Sequence, residues 1–155
     1  MTGDAGHVRY DLLTGLKRRN TPAEYKADMA EGVVFNQAQW HRFHANEVHL
    51  GNGKVLDSYT AGRHIVSRKQ TQLGEVNRST AREYLREATK KYSPGEIVKD
   101  TPKARAQYPH LIGTRLKGML YLEVPVQHHP VPDRILKYAI KKEIIIRDVT
   151  GHIYQ

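Results

Sequence analysis

The sequence predicts an α/β or α+β fold, a mixed β-sheet that contains an antiparallel meander and is flanked by helices. Three observations carry that expectation. Strand-period alternation runs from Asn46 to Lys69 and is cut twice by tight-turn sequences, Gly51-Asn52-Gly53 and Thr60-Ala61-Gly62. A helical period follows near Asn77, with Ala81, Leu85 and Ala88 on one side. Further on, GMLYLEVPV (Gly118 to Val126) is the strongest strand in the chain, apolar enough to be central, and one more helix and one more strand come after it.

Taken in order, His7 to Tyr10 reads as a short strand, and Leu12, Leu13 and Leu16 fall on one face of a turn. Thr21-Pro22-Ala23-Glu24 supplies a cap, a first-turn proline and a Glu at cap plus three, predicting a helix from about Pro22 to Ala30. Asn36 is a second cap candidate, opening a short helix that packs Phe35, Trp40 and Phe43 on the core. Val48 and Leu50 alternate with Glu47 and His49, Val55 to Tyr59 returns as a second strand, and Arg63 to Lys69 makes the third. Asn77 or Ser79 caps a helix reaching about Lys91, whose outer side carries Arg82, Glu83, Arg86, Glu87 and Lys90. Ser93-Pro94-Gly95 ends it, and the stretch to Gly113 reads as a long surface loop with one short helix through Lys103 to Ala106. Pro130 and Pro132 introduce a final helix from Asp133 to Lys141, and Ile144 to Val149 is the last strand.

A chain of 155 residues and 17.7 kDa is expected to form one domain, 1–155, with 1–35 as a helical or irregular N-terminal extension. Its apolar runs fall far below the ~18 residues of a spanning helix, so no membrane-spanning segment is expected. No signal peptide is visible after Met1, although a piece of a longer chain would look the same. The lack of cysteine excludes disulfides, thiol catalysis and cysteine zinc sites. Neither a GxxxxGK[ST] loop nor a GxGxxG turn nor an HExxH helix is present, which argues against nucleotide hydrolysis, dinucleotide binding and zinc proteolysis. A formal charge of +9 and a pI near 9.8 favour a polyanionic partner, with nucleic acid first among them.

Chemistry concentrates in VLDSYTAGRHIVSRKQTQL, Val55 to Leu73. Alternation puts Arg63, Ile65, Ser67 and Lys69 on one face of the third strand and His64, Val66 and Arg68 on the other. In the right register Asp57 joins Ser67 and Lys69; a slip of one residue turns it away. There, Asp57 can hold Mg2+ at ~2.1 Å on a scissile phosphate, while Lys69 orients water or stabilises the transition state. Further oxygen ligands are needed, and Glu47, Glu83 and Glu87 are the candidates. The plainer alternative makes Asp57 a strand-end residue and Lys69 a solvated end. Glu123, alone among Leu120, Leu122 and Val124, must face solvent or be paired.

The run NEVHLGNGKVLDSY (Asn46 to Tyr59) followed by IVSRKQTQL (Ile65 to Leu73), with the order of elements, resembles the PD-(D/E)XK nucleases of the restriction-endonuclease fold. The likeness is to their toxin domains, found at the C-terminal end of bacterial polymorphic and contact-dependent toxins. That resemblance implies a restriction-endonuclease-like, Mg2+- or Mn2+-dependent endonuclease toxin, favouring DNA over RNA, with Asp57 as metal ligand and Lys69 as the catalytic lysine. Its middle acidic position, read strictly, is occupied by Ser67, and relatives tend to carry Glu where this chain has His64. His64 is then a soft metal ligand, a phosphate contact or a structural residue, and Glu47 gains weight as the second carboxylate. Arg63, Arg68, Gln70 and Gln72 flank the patch as nucleic-acid contacts, or as strand-edge charges and turn caps. The resemblance also implies a cognate acidic immunity protein, export as part of a larger toxin and action in the cytoplasm of a target cell. Two alternatives stay open: a metal-independent RNase using His41, His44 or the His128-His129 pair, and a non-catalytic basic module that binds nucleic acid.

Overall fold

Thr21 opens the first long helix as its sequence requires: its hydroxyl accepts the Glu24 amide hydrogen while the Glu24 carboxylate accepts that of Thr21. In the computed structural model, which describes residues 5–6 and 9–155, this helix is the fourth of fourteen main elements. They are β1 (Ala5–Gly6), β2 (Arg9–Tyr10), β3 (Lys17–Arg18), α1 (Pro22–Ala38), β4 (Ala45–His49), β5 (Val55–Thr60), β6 (Arg63–Arg68), β7 (Gln70–Thr71), α2 (Arg78–Lys91), α3 (Pro102–Gln107), β8 (Gly118–Val124), α4 (Asp133–Lys141), β9 (Ile144–Asp148) and β10 (Ile153–Tyr154). His7 and Val8, from the expected first strand, lie outside the described residues.

Six strands form one mixed sheet in the order β10-β9-β8-β6-β5-β4. The meander β4-β5-β6 is antiparallel, β6-β8-β9 are parallel, and β10 returns antiparallel on β9. Parallel neighbours need a crossover, which α2 supplies between β6 and β8 and α4 between β8 and β9. The fold class read from the sequence, a mixed sheet with a meander and flanking helices, is the one observed. Ala81, Tyr84, Leu85 and Ala88 of α2 and Ile135 and Ala139 of α4 bury against Ile65, Leu120, Leu122, Ile144 and Ile146 in one core. Among the described residues, no helix is long and apolar enough to cross a membrane.

Two expectations are corrected. α1 runs on to Ala38 instead of stopping near Ala30, and Asn36 lies inside it rather than capping a second helix. Its inward positions, Asp28, Gly32 and Asn36, recur every four residues but are polar or small, so hydrophobic periodicity does not register them. Trp40 to Arg42 then forms a single 3-10 turn. The stretch after Ser93 is no mere surface loop, because Val98, Ala104, Tyr108, Leu111 and Leu116 enter the core and Leu50 bridges Val98.

At the start of β8, Gly118 has φ +132, and a Cβ there would meet the Arg63 backbone at 2.7 Å. Gly62 also has positive φ but faces open space. Gly118→Ala should therefore cost about 2–4 kcal/mol and Gly62→Ala only ~1 kcal/mol. Urea midpoints at constant m-value measure the contrast.

Candidate active site

Pairing between β5 and β6 runs through Thr60–His64, Tyr59–Ile65 and Ser58–Val66 and then stops. One step further the register would oppose Asp57 to Ser67. Instead, Asp57 Oδ2 accepts the backbone N–H of Arg68 at 2.8 Å, so a side chain occupies a place the ladder would have used. β6 stays attached on its other side, where Arg68 is in register with Glu123 and the Lys69 N–H donates to the Glu123 carbonyl at 2.9 Å. The two antiparallel strands fork, with Asp57 on one prong and Lys69 at the end of the other. The fork lies at the carboxyl end of parallel strands, where open α/β sheets bind ligands. Both residues are nearly sealed, Asp57 at 1% and Lys69 at 8% exposure.

α2 supplies the fork's other wall. Lys69 Nζ stands 5.4 Å from the centre of the Tyr84 ring. Glu87, one turn on, feels the Lys69 charge: burial pushes its carboxyl up, but the bond from Lys91 and the charges of Lys69 and Lys91 prevail and hold it below the ordinary range. Tyr92, just past the helix, is raised well above a normal phenol, first by burial and then by the negative charges of Asp57, Glu87 and Glu47. Glu47 is half-buried at φ +50, its carbonyl fastened by the Tyr108 hydroxyl at 3.3 Å. Among the described residues, no three histidine, aspartate or glutamate side chains stand close enough to hold a metal as they are.

The other face of β6 is built differently. Glu123, fully buried, accepts Arg68 Nε at 2.9 Å and Arg42 Nη2 on Oε1, and Arg147 Nη2 at 3.1 Å on Oε2. Arg68 Nη1 donates to Asn36 Oδ1 at 2.7 Å and to Ser58 Oγ at 3.1 Å. Arg68 is 0% exposed, so no phosphate reaches it, and its expected contact with nucleic acid is corrected to a buried ion pair. His64 lies on this same face, packed edge-on against Phe43 and Tyr121 with ring centres 6.2 and 5.2 Å away. Strand alternation therefore separates it from Asp57, and the expectation that the two share a metal is not met. Burial, aided by the charges of Arg147 and Arg63, lowers the His64 pKa.

The remaining candidates scatter. Ser67, buried, shares the parity of Ile65 and Lys69 and carries no carboxylate to the fork. Arg63 is exposed at the far end of β6, about 20 Å from Lys69 at strand spacing. Gln72 clips a loop, donating to the Val126 carbonyl and accepting the His128 N–H, while Gln70 lines an apolar recess with Val34 and Phe35 of α1. Glu83 pairs with Arg86 in solvent. His41, His44, His128 and His129 are all exposed, and His129 is 3.8 Å from Glu75. Sequence reasoning ranked Glu87 low and passed over Tyr84 and Tyr92. Their spacing on α2 holds the signal, since Tyr84 and Glu87 are one turn apart on the side that meets Lys69. Compared with models of protein families, with curated proteins and with solved structures, the chain finds no match.

Two tests follow from these environments. Glu123→Leu strands the Arg68 guanidinium without its counter-charge and should cost about 3–5 kcal/mol in urea denaturation. His64 has a folded pKa below its unfolded 6.5, so the unfolded chain binds more protons once pH drops below that value. Stability from His64 is therefore complete above about pH 6.5 and declines as pH falls through the folded pKa. His64→Phe, which keeps the aromatic packing, should flatten the loss of urea midpoint between about pH 7 and pH 5; an unchanged slope contradicts the assignment.

Proposed function

We propose that this chain is a metal-dependent endonuclease that hydrolyses nucleic-acid phosphodiesters, DNA in preference to RNA, with its active site at the Asp57–Lys69 fork. The observation that carries this reading is the fork that puts Asp57 and Lys69 at the carboxyl end of β6, with Glu87 on α2 within reach of the Lys69 charge, in a chain of net charge +9. The succession α1-β4-β5-β6-α2-β8, with β8 parallel to β6, supports the restriction-endonuclease-like arrangement that the sequence resemblance implies.

The donors suit a hard cation in kind. Mg2+ or Mn2+ takes oxygen ligands and needs only one or two carboxylates beside water and substrate oxygens, and Asp57 with Glu87 or Glu47 would supply them. Bound there, the ion supplies Lewis-acid charge at the scissile phosphate. The protein groups do the rest. The Arg68 amide fixes Asp57 in one orientation before substrate arrives, which is the preorganisation a charge-developing reaction needs. The Lys69 ammonium, its backbone pinned to β8, faces the negative charge that grows on the phosphoryl oxygens. Glu87, kept ionised beside Lys69 and Lys91, offers a negative oxygen that can orient the attacking water. The side chains of His64 and Arg68 lie on the opposite face of β6 and take no role in this proposal.

The toxin likeness extends the proposal to a cognate acidic inhibitor, drawn to the +9 surface, to export within a larger protein, and to action in the target-cell cytoplasm. A second reading draws on the burial of Asp57 and Lys69: a non-catalytic nucleic-acid-binding module in which Asp57 merely fastens the fork. Plasmid DNA and total RNA, incubated with Mg2+ or Mn2+ and with EDTA, separate the two. Asp57→Asn, which still offers the Arg68 amide an acceptor, and Lys69→Met should each lose about 100-fold in rate, and Glu87→Gln about 10-fold or more. Parental rates in the first two sink the assignment; salt-sensitive binding by folded wild type with no cleavage under any condition supports the binding module.

A further inference from the structure

Away from the fork, α2 and α4 pack side by side and gather charge between them. Arg78 and Arg82 of α2, with Arg134, Lys137 and Lys141 of α4, line a concavity of about 300 Å3 that Tyr138 completes. The spacing explains the convergence, because residues four apart on α2, and three to four apart on α4, share a helix face. Among the described residues, none of these five cations forms a salt bridge. The Arg82 guanidinium lies over the Tyr138 ring at 4.6 Å, which orients it without neutralising it. Five like charges facing one hollow repel one another, and an anion entering it relieves that repulsion.

The hollow is not isolated. Arg82 and Tyr138 also line a second recess with Glu83 and Arg86, and those two in turn line a third with Lys54, Glu87 and Lys90. A single surface thus leads along α2 from the five cations to Glu87, the carboxylate that feels the Lys69 charge. At helical rise, Arg82 and Arg78 stand about 7.5 and 13.5 Å from Glu87 along the axis, or roughly two to four nucleotide steps of 3.4 Å.

We infer that the α2–α4 cleft grips the sugar-phosphate backbone of a nucleic acid a few nucleotides from the fork, holding the strand while the bond at Asp57 and Lys69 is exposed. Guanidinium groups fit phosphate oxygens bidentately, and a hollow of this size admits a phosphate and its sugar but not a helix or sheet of an acidic protein. The direction of the track rests on reading the fork as a nuclease site; the anion-binding cleft does not.

The test keeps the two apart. Full-length Asp57→Asn protein in EDTA is titrated against a fluorescent single-stranded oligonucleotide by anisotropy between about 50 and 200 mM salt. Adding Arg78→Ala, Arg82→Ala and Lys137→Ala should weaken binding more than 10-fold and reduce the slope of log affinity against log salt by about 2. A matched control that removes the exposed cations Lys26, Lys99 and Lys117 should change affinity less than about 3-fold. Equal losses in the two triple variants overturn the inference, since charge alone would then explain binding. Unchanged oligonucleotide affinity in the cleft variant, with lost affinity for polyglutamate, overturns it in favour of an acidic protein partner. Binding lost through the cleft, with no cleavage by wild type in Mg2+ or Mn2+, upholds the cleft and removes the hydrolase reading alone.

Discussion

Everything around the fork depends on one buried carboxylate. Glu123 sits between its register partners Arg68 on β6 and Arg147 on β9, and Arg42 reaches it from the 3-10 turn after α1. A lone carboxylate at 0% exposure would be prohibitively costly to desolvate; with three guanidinium groups it becomes the node that joins three strands and the N-terminal helical segment. The positive excess is bearable because Arg42 and Arg147 keep partial access to water, while the sealed Arg68 gives its Nη1 hydrogens to Asn36 and Ser58 and keeps Nη2 without a hydrogen-bond partner among the described residues. Immobilising Arg68 has a second effect. Its backbone amide is the group that fixes Asp57, so the ion cluster on one face of the sheet sets the geometry of the carboxylate on the other.

β6 therefore serves two environments through strand alternation alone. Ile65, Ser67 and Lys69 turn toward α2, and His64, Val66 and Arg68 turn toward the ion cluster. Moving the register by one residue would bury a lysine among the arginines and point an arginine at the hydrophobic core. Such an error is expensive enough to make the pairing unique, which is how a six-residue strand can position Asp57's partner amide and Lys69 reproducibly.

Much of this was readable in the sequence wherever the physics is local. The helix over Asp133–Lys141 follows from Pro132, which fixes the backbone just before it, and the meander follows from alternation and two tight turns. The same alternation put Asp57, Ser67 and Lys69 on one side. Unreadable parts depend on distant partners. Arg68 looks like a strand-edge charge until Glu123, 55 residues away in sequence, is known to lie beside it. α1 looks too short because Asp28 and Asn36 are core-facing only in the presence of Arg9 and Arg68. Glu123 itself gave fair warning, being a single acid in an apolar strand, and only its three partners were beyond inference.

The edge strand β4 carries a last implication, for life at high concentration. An uncovered edge invites strand addition from a second copy. Here the backbone of β4 is bent by the left-handed Glu47, and the Tyr108 hydroxyl occupies the Glu47 carbonyl and the His49 N–H at once. Just beyond, Leu50 bridges to Val98, and the Lys99 N–H takes the His49 carbonyl. Main-chain groups that could zip into a fibril are spoken for by the chain's own middle segment, so this border of the sheet resists polymerisation without relying on charge repulsion, which salt would screen.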